Sequence, residues 1–195
     1  METKDVLEIF EKTSALLEGH FLLSSGLHSS QYFQCARVLQ YPQYAEELAT
    51  DIVAFFRDVD VDLVISPAMG GIIIGHEVAR AMKTRFVFTE RSKDTDEMVL
   101  RRGFDLEEGE KALVIEDVLT TGGSVREILK LLNKEGVEVI GTGFIVDRSA
   151  NKIKFGVPKY AVLEMPVVVY RPEGCPLCEK SLPIDRPGSR KKKLI

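Results

Sequence analysis

Cysteine and histidine are scarce in this chain, three of each among 195 residues. Cys35, Cys175 and Cys178 are too few for the disulfide framework of a small secreted domain. No apolar run reaches the roughly 18 residues that would cross a bilayer. The amino terminus already carries Glu2, Lys4, Asp5, Glu8 and Glu11, which is not the pattern of a secretory leader. A soluble cytoplasmic protein without a membrane partner is therefore expected. Excess positive charge is also missing: the net charge is −4 and the pI about 5.5. That balance argues against nucleic acid as a partner, and the local Arg190-Lys191-Lys192-Lys193 run reads as a solvated terminus. There is no internal repeat and no interdomain linker. With 45% hydrophobic residues, one domain spanning 1–195 with a full core is expected.

Cys175-Pro-Leu-Cys178 has the spacing of half a zinc site or of a redox pair. A structural zinc would need two more ligands, and His20, His28 and His76 are all distant in sequence. The fold or a dimer would have to bring them in. The expectation from spacing is a reduced pair in a carboxyl-terminal turn.

What the chain does have is concentrated in residues 113–124, Leu-Val-Ile-Glu-Asp-Val-Leu-Thr-Thr-Gly-Gly-Ser. Leu113, Val114 and Ile115 read as a strand buried on both faces, because apolar residues follow one another without alternation. Glu116 and Asp117 then fall at its carboxyl end, the edge where open α/β sheets bind ligands. Val118 and Leu119 lead into Thr120, Thr121, Gly122, Gly123 and Ser124, a turn of hydroxyls and exposed backbone N–H groups. Val125, Ile128, Leu129 and Leu132 continue at helical spacing, so the turn opens a helix and forms an anion site. Two carboxylates accept hydrogen bonds from a diol while the turn holds a phosphate, and a ribose 5-phosphate carries both groups. The nucleoside triphosphate motif G-x-x-x-x-G-K-[ST] is excluded, since no lysine lies in this turn. A plain strand–turn–helix connection is the other reading of the same residues.

V-I-E-D-V-L-T-T-G-G-S resembles the phosphoribosyl diphosphate (PRPP) motif of the type I phosphoribosyltransferases, and its T-T-G-G-S ending is most similar to the orotate branch. The pattern F-L-L-S-S-G-x-x-S-x-x-Y-F from Phe21 to Phe33 is similar to the hood of that branch, in which Tyr32 and Phe33 match an aromatic pair that shapes the base pocket. Ser24 stands where bacterial relatives carry lysine. Residues 62–66 read as a strand running into Pro67-Ala68-Met69-Gly70-Gly71, a turn whose glycines let a ligand approach the backbone. The resemblance makes Met69 and Gly70 part of a pyrophosphate loop, with Ala68–Met69 a candidate cis bond.

The remaining elements are read from periodicity. Residues 3–18 form an amphipathic helix ending at Gly19, followed by short strands over 20–24 and 31–35. Helices are expected over 44–56, from Ile72, and over 122–135, with strands at 86–88, 137–146 and 160–169. Residues 91–103 are charged and then hairpin-like, which suits a mobile flap. In the family that loop closes over the neighbouring subunit's site and brings cations to the pyrophosphate. Here it is short and lacks histidine; Arg91 and Lys93 are the best matches, with Arg101 and Arg102 behind them. Arg148, at a strand end, matches the arginine that holds the orotate carboxylate, a task suited to its planar fork.

The resemblance thus implies an α/β type I phosphoribosyltransferase fold: a mainly parallel, five-stranded sheet flanked by helices. The core covers about 41–170, and a small hood covers about 1–40 together with the carboxyl-terminal tail. The implied reaction is transfer of the 5-phosphoribosyl group from PRPP to N1 of orotate, giving orotidine 5′-monophosphate and pyrophosphate in de novo UMP biosynthesis. Glu116, Asp117 and Lys93 would be the catalytic groups. PRPP would be held by residues 116–124, Arg91, Lys93, Met69 and Gly70, and orotate by Thr120, Arg148, Tyr32 and Phe33. Mg²⁺ would be carried mainly on PRPP oxygens with no direct protein ligand, and a homodimer would share the flap. A purine-type phosphoribosyltransferase and a PRPP-sensing regulator are the alternatives.

Overall fold

The computed structural model describes residues 1–23 and 25–187, so Ser24 and the basic run 190–193 lie outside the described residues. Helix α1 (Thr3–Lys12) stops well before Gly19. Ser14 takes a left-handed conformation (φ 51°), its N–H donates to the Glu11 carbonyl at 3.0 Å, and the Ala15 N–H donates to the Phe10 carbonyl at 2.8 Å. Those two bonds close the last carbonyls of the helix as a Schellman motif does, with buried Ala15 beneath. Leu16 and Leu17, expected in the helix, therefore begin strand β1 (Leu16–Leu22). It pairs antiparallel with β2 (His28–Phe33), from Leu16 opposite Phe33 to Leu22 opposite His28.

After a short helix α2 (Ala36–Leu39), α3 (Pro42–Phe55) buries Ala45, Leu48, Ala49 and Ile52. The α/β core follows: β3 (Leu63–Pro67), α4 (Gly71–Met82), β4 (Arg85–Arg91), β5 (Met98–Leu100), β6 (Lys111–Leu119), α5 (Gly123–Lys134), β7 (Glu138–Asp147) and β8 (Lys159–Glu164). The sheet order is β5-β4-β3-β6-β7-β8. Five of these strands run parallel, as the sequence predicts; the sixth, β5, is an antiparallel edge strand contributed by the flap hairpin, with Arg91 opposite Met98. The expected strand over 160–169 divides: 159–164 belong to the main sheet, and β9 (Val169–Tyr170) leaves it to join β2 as third strand of the hood sheet. A short helix α6 (Pro176–Glu179) lies in the tail.

The continuous apolar runs of the central strands are explained by cover on both faces. Val64, Leu113, Ile115 and Ile145 face α1, α3 and α4, whereas Leu63, Ile65, Ala112, Val114 and Phe144 face α5. Both layers are sealed, so the carboxyl edge of the parallel strands is left to carry the polar loops.

Candidate active site at the carboxyl edge

Strand β6 extends to Leu119, so Glu116 and Asp117 sit within its last residues and not just beyond it. The Asp117 carboxylate accepts a hydrogen bond from the Val118 N–H at 3.0 Å. Burial pushes its pKa above the usual carboxylate range, against the pull of that backbone donor. The wall that encloses it is the loop after β3: a Cβ at Gly70 would stand 2.5 Å from Asp117 Oδ2 and 2.6 Å from Oδ1. The Pro67–Gly71 turn and the β6 acids, far apart in sequence, thus form one surface. The Ala68–Met69 peptide is cis, and Met69 is exposed. Gly70→Ala should raise the KM of a ligand bound at this loop by roughly tenfold or more, because the atoms nearest the added methyl all belong to the Asp117 carboxylate, which must shift to admit it. An unchanged KM would separate the loop from the site.

Beyond the acids the chain turns at Gly122, whose φ of 73° and whose contact with Phe155, 3.0 Å from a Cβ placed there, both require glycine. Helix α5 starts at Gly123 without a side-chain cap, so its first N–H groups face the loop formed by exposed Thr120 and Thr121. Val125, Ile128 and Leu132 are buried and Leu129 is packed beside them, as their spacing predicts.

At the end of β7, Asp147 is fully buried and pairs with Lys159 at 2.5 Å and with the Ser149 N–H at 2.7 Å. Arg148 is therefore not neutralised by its neighbour. It is 9% exposed; its guanidinium stands 5.9 Å over the Phe33 ring and reaches Ser29 Oγ only at 3.5 Å. Its Nε has no hydrogen-bond partner among the described residues. Burial lowers its pKa, and the Tyr32 hydroxyl nearby opposes that shift. Burial also raises the Tyr32 pKa, with Asp117 adding to the rise and Arg148 opposing it, and its ring lies 5.8 Å from that of Phe21. Phe33 instead packs edge-on to Phe10 at 5.6 Å within the core. Adjacent strand residues point to opposite faces, which separates the two members of the aromatic pair.

The flap cations are arranged unequally. Arg91 forks onto Glu127 of α5 at 3.1 and 3.2 Å and also bonds the Asp96 carbonyl. Glu127 accepts the Met98 N–H as well, so it ties the hairpin to α5. Arg102 pairs with Glu90 at 2.7 Å. Lys93 is exposed at the hairpin turn. A separate cleft lined by Val53, Phe56, Val61, Met82 and Lys111 lies at the amino ends of β3 and β6, the sheet edge opposite these groups.

Among the described residues no helix is long and apolar enough to cross a membrane. Residues 38–174 match the model of the phosphoribosyl transferase domain. The chain is 50% identical over 191 residues to an orotate phosphoribosyltransferase of Caldanaerobacter subterraneus subsp. tengcongensis, covering 98% of this chain and 100% of that one. It is 53% identical over 190 residues to an orotate phosphoribosyltransferase of Chlorobium phaeobacteroides, covering 97% of each. The crystal structure of orotate phosphoribosyltransferase from Aeropyrum pernix superposes with a TM-score of 0.70 at 25% identity, over 82% of this chain and 93% of that one. A pair of acids at the carboxyl edge, a glycine-bounded loop and these relatives together lead to one assignment: the chain belongs to the phosphoribosyltransferase family, among its orotate phosphoribosyltransferases.

Proposed function

We propose that the chain transfers the 5-phosphoribosyl group of PRPP to N1 of orotate, releasing pyrophosphate, as a step of pyrimidine nucleotide synthesis. The observation that carries the choice of base is Arg148, a buried guanidinium whose Nε lacks an acceptor and which pairs with no carboxylate among the described residues. An orotate carboxylate would supply the missing acceptor as a bidentate, oppositely charged partner; a purine base has no carboxylate to offer. Glu116 and Asp117 would accept hydrogen bonds from the ribose hydroxyls, and residues 120–124 with the start of α5 would hold the 5′-phosphate. Breaking the C1′–O bond leaves positive charge on the ribose, so the two acids act by position and charge, without a covalent step. Lys93 would neutralise the leaving group from the flap, and Arg91 would join it only after leaving Glu127.

Mg²⁺ fits this site as a substrate-borne ion. The donors the structure describes at the edge are the Asp117 carboxylate and the hydroxyl-rich turn after it, which suits an ion that keeps its waters and binds phosphate oxygens more than one caged by protein. When bound, it would supply charge neutralisation on the pyrophosphate. The flap would serve a second copy of the chain. Sedimentation at assay concentrations should give twice the chain mass; a single-chain mass with full activity would remove the shared flap.

The direct test is loss of orotate absorbance with PRPP and Mg²⁺, with adenine, hypoxanthine and uracil in parallel. Turnover with orotate alone, abolished by EDTA, is expected. Turnover only with another base would detach Arg148 from base recognition, and PRPP binding without turnover would favour a regulator.

A further inference from the structure

His20, His28, Cys175 and Cys178 each turn one ligating atom toward a common point, all within 4.8 Å of one another. None of them belongs to the site above. Three of the four side chains are buried, and both cysteines are free thiols. Cys178 Sγ stands 3.3 Å from His28 Nδ1 and 3.7 Å from His20 Nε2, and Cys175 Sγ stands 3.7 Å from the same His20 nitrogen. In a tetrahedron with metal–sulfur bonds of about 2.3 Å and metal–nitrogen bonds of about 2.0 Å, such edges measure roughly 3.5 Å. The two nitrogens are closer, at 2.8 Å, so an ion between them would spread the rings by about half an ångström.

Two features show that the cluster is built rather than accidental. His20 Nδ1 lies 2.9 Å from the Leu182 carbonyl; donating its proton there leaves the Nε2 lone pair aimed at the cluster, the arrangement common behind metal-bound histidines. The β1–β2 register also shifts by one residue between Glu18 and Phe21. Without that bulge His20 would pair with Ser29 and point to the face opposite His28; with it, both imidazoles share one face. Cys175 and Cys178 are three positions apart at the start of α6, which turns both sulfurs the same way.

We propose that these four residues form a structural zinc site that fastens the carboxyl-terminal tail to the hood. Two thiolates and two neutral imidazoles neutralise a divalent charge, which suits a buried position, and thiolate sulfur selects zinc over the harder ions. Binding releases the two thiol protons. The site closes a four-ligand tetrahedron, leaving no open position for substrate, so its role is structural. It would clamp β1 to β2 in addition to the backbone bonds that Asp185 makes with His20 and Leu22 along the edge of β1, and it would hold Ser29, the Arg148 neighbour, in place.

The test is elemental analysis of the full chain purified with a non-chelating reductant from zinc-supplemented cells. One zinc per chain is expected, falling to a small fraction in Cys178→Ser and in His28→Ala. Removing the clip should lower Tm by roughly 5 to 10 °C, on the scale of a lost covalent cross-link. Because a variant could fail to fold, the native chain supplies a second reading: exchange with cobalt(II) should give tetrahedral visible bands and thiolate charge transfer in the near ultraviolet. Substoichiometric zinc together with a cobalt spectrum lacking charge transfer would overturn the site, as would full zinc retention in folded Cys178→Ser or a Cys175–Cys178 disulfide in the purified chain.

Discussion

Asp117→Asn is expected to lose turnover by at least ~10², the scale of one electrostatic group acting on a charged transition state, while the folded protein becomes more stable at neutral pH. The two effects have one origin. Burial raises the Asp117 pKa, so the folded state resists the ionised form. For a group whose folded pKa lies above its unfolded value, the stabilising contribution is full below the unfolded pKa and is lost as pH rises through the folded one. At neutral pH the carboxylate is therefore held against its preference, and an amide of the same shape relieves that while keeping the Val118 N–H bond. The stability gain of the variant should disappear in acid. Thermal melts from acid to neutral pH, run beside kcat/KM, check both halves; unchanged kcat/KM would remove the electrostatic role, and a lower Tm at neutral pH would remove the strain.

Arg148→Ala should raise the orotate KM far more than the PRPP KM. A charge-assisted bond in a buried site contributes about 1.5–3 kcal/mol, and a bidentate pair lost at once should lower kcat/KM for orotate by roughly 10² to 10³. Arg148→Lys keeps the charge and loses the fork, so it should recover only a small part. Equal effects on both substrates would reject the carboxylate contact. Because Arg148 also lies over Phe33, a general loss of hood packing is separated by measuring Tm for both variants.

Where the sequence is legible, local chemistry and burial agree. Leu113, Val114 and Ile115 are consecutive apolar residues because helices cover both faces of β6, and the acids and the glycine turn follow from where that strand ends. The α5 stripe is legible for the same reason: Val125, Ile128 and Leu132 repeat at the helical period. Helix α1 ends earlier than its periodicity predicts, since Leu16 and Leu17 continue the apolar pattern while the end depends on a left-handed Ser14 that periodicity does not signal. The sixth strand escapes a reading by pattern because Met98–Leu100 is too short to stand apart from the flap.

The sequence by itself determined the local order from which the ligand class is proposed, because it is contiguous: strand, two acids and helix start lie within residues 113–124. Only the tertiary structure decided which cations are engaged. Glu127 claims Arg91, and Lys159 claims Asp147, which leaves Arg148 without a carboxylate among the described residues; these partners are set by packing between elements. The same holds for the four proposed zinc ligands. Their convergence needs a one-residue bulge in β1–β2 and the return of the tail to the hood, and neither long-range closure nor register leaves a mark in local sequence.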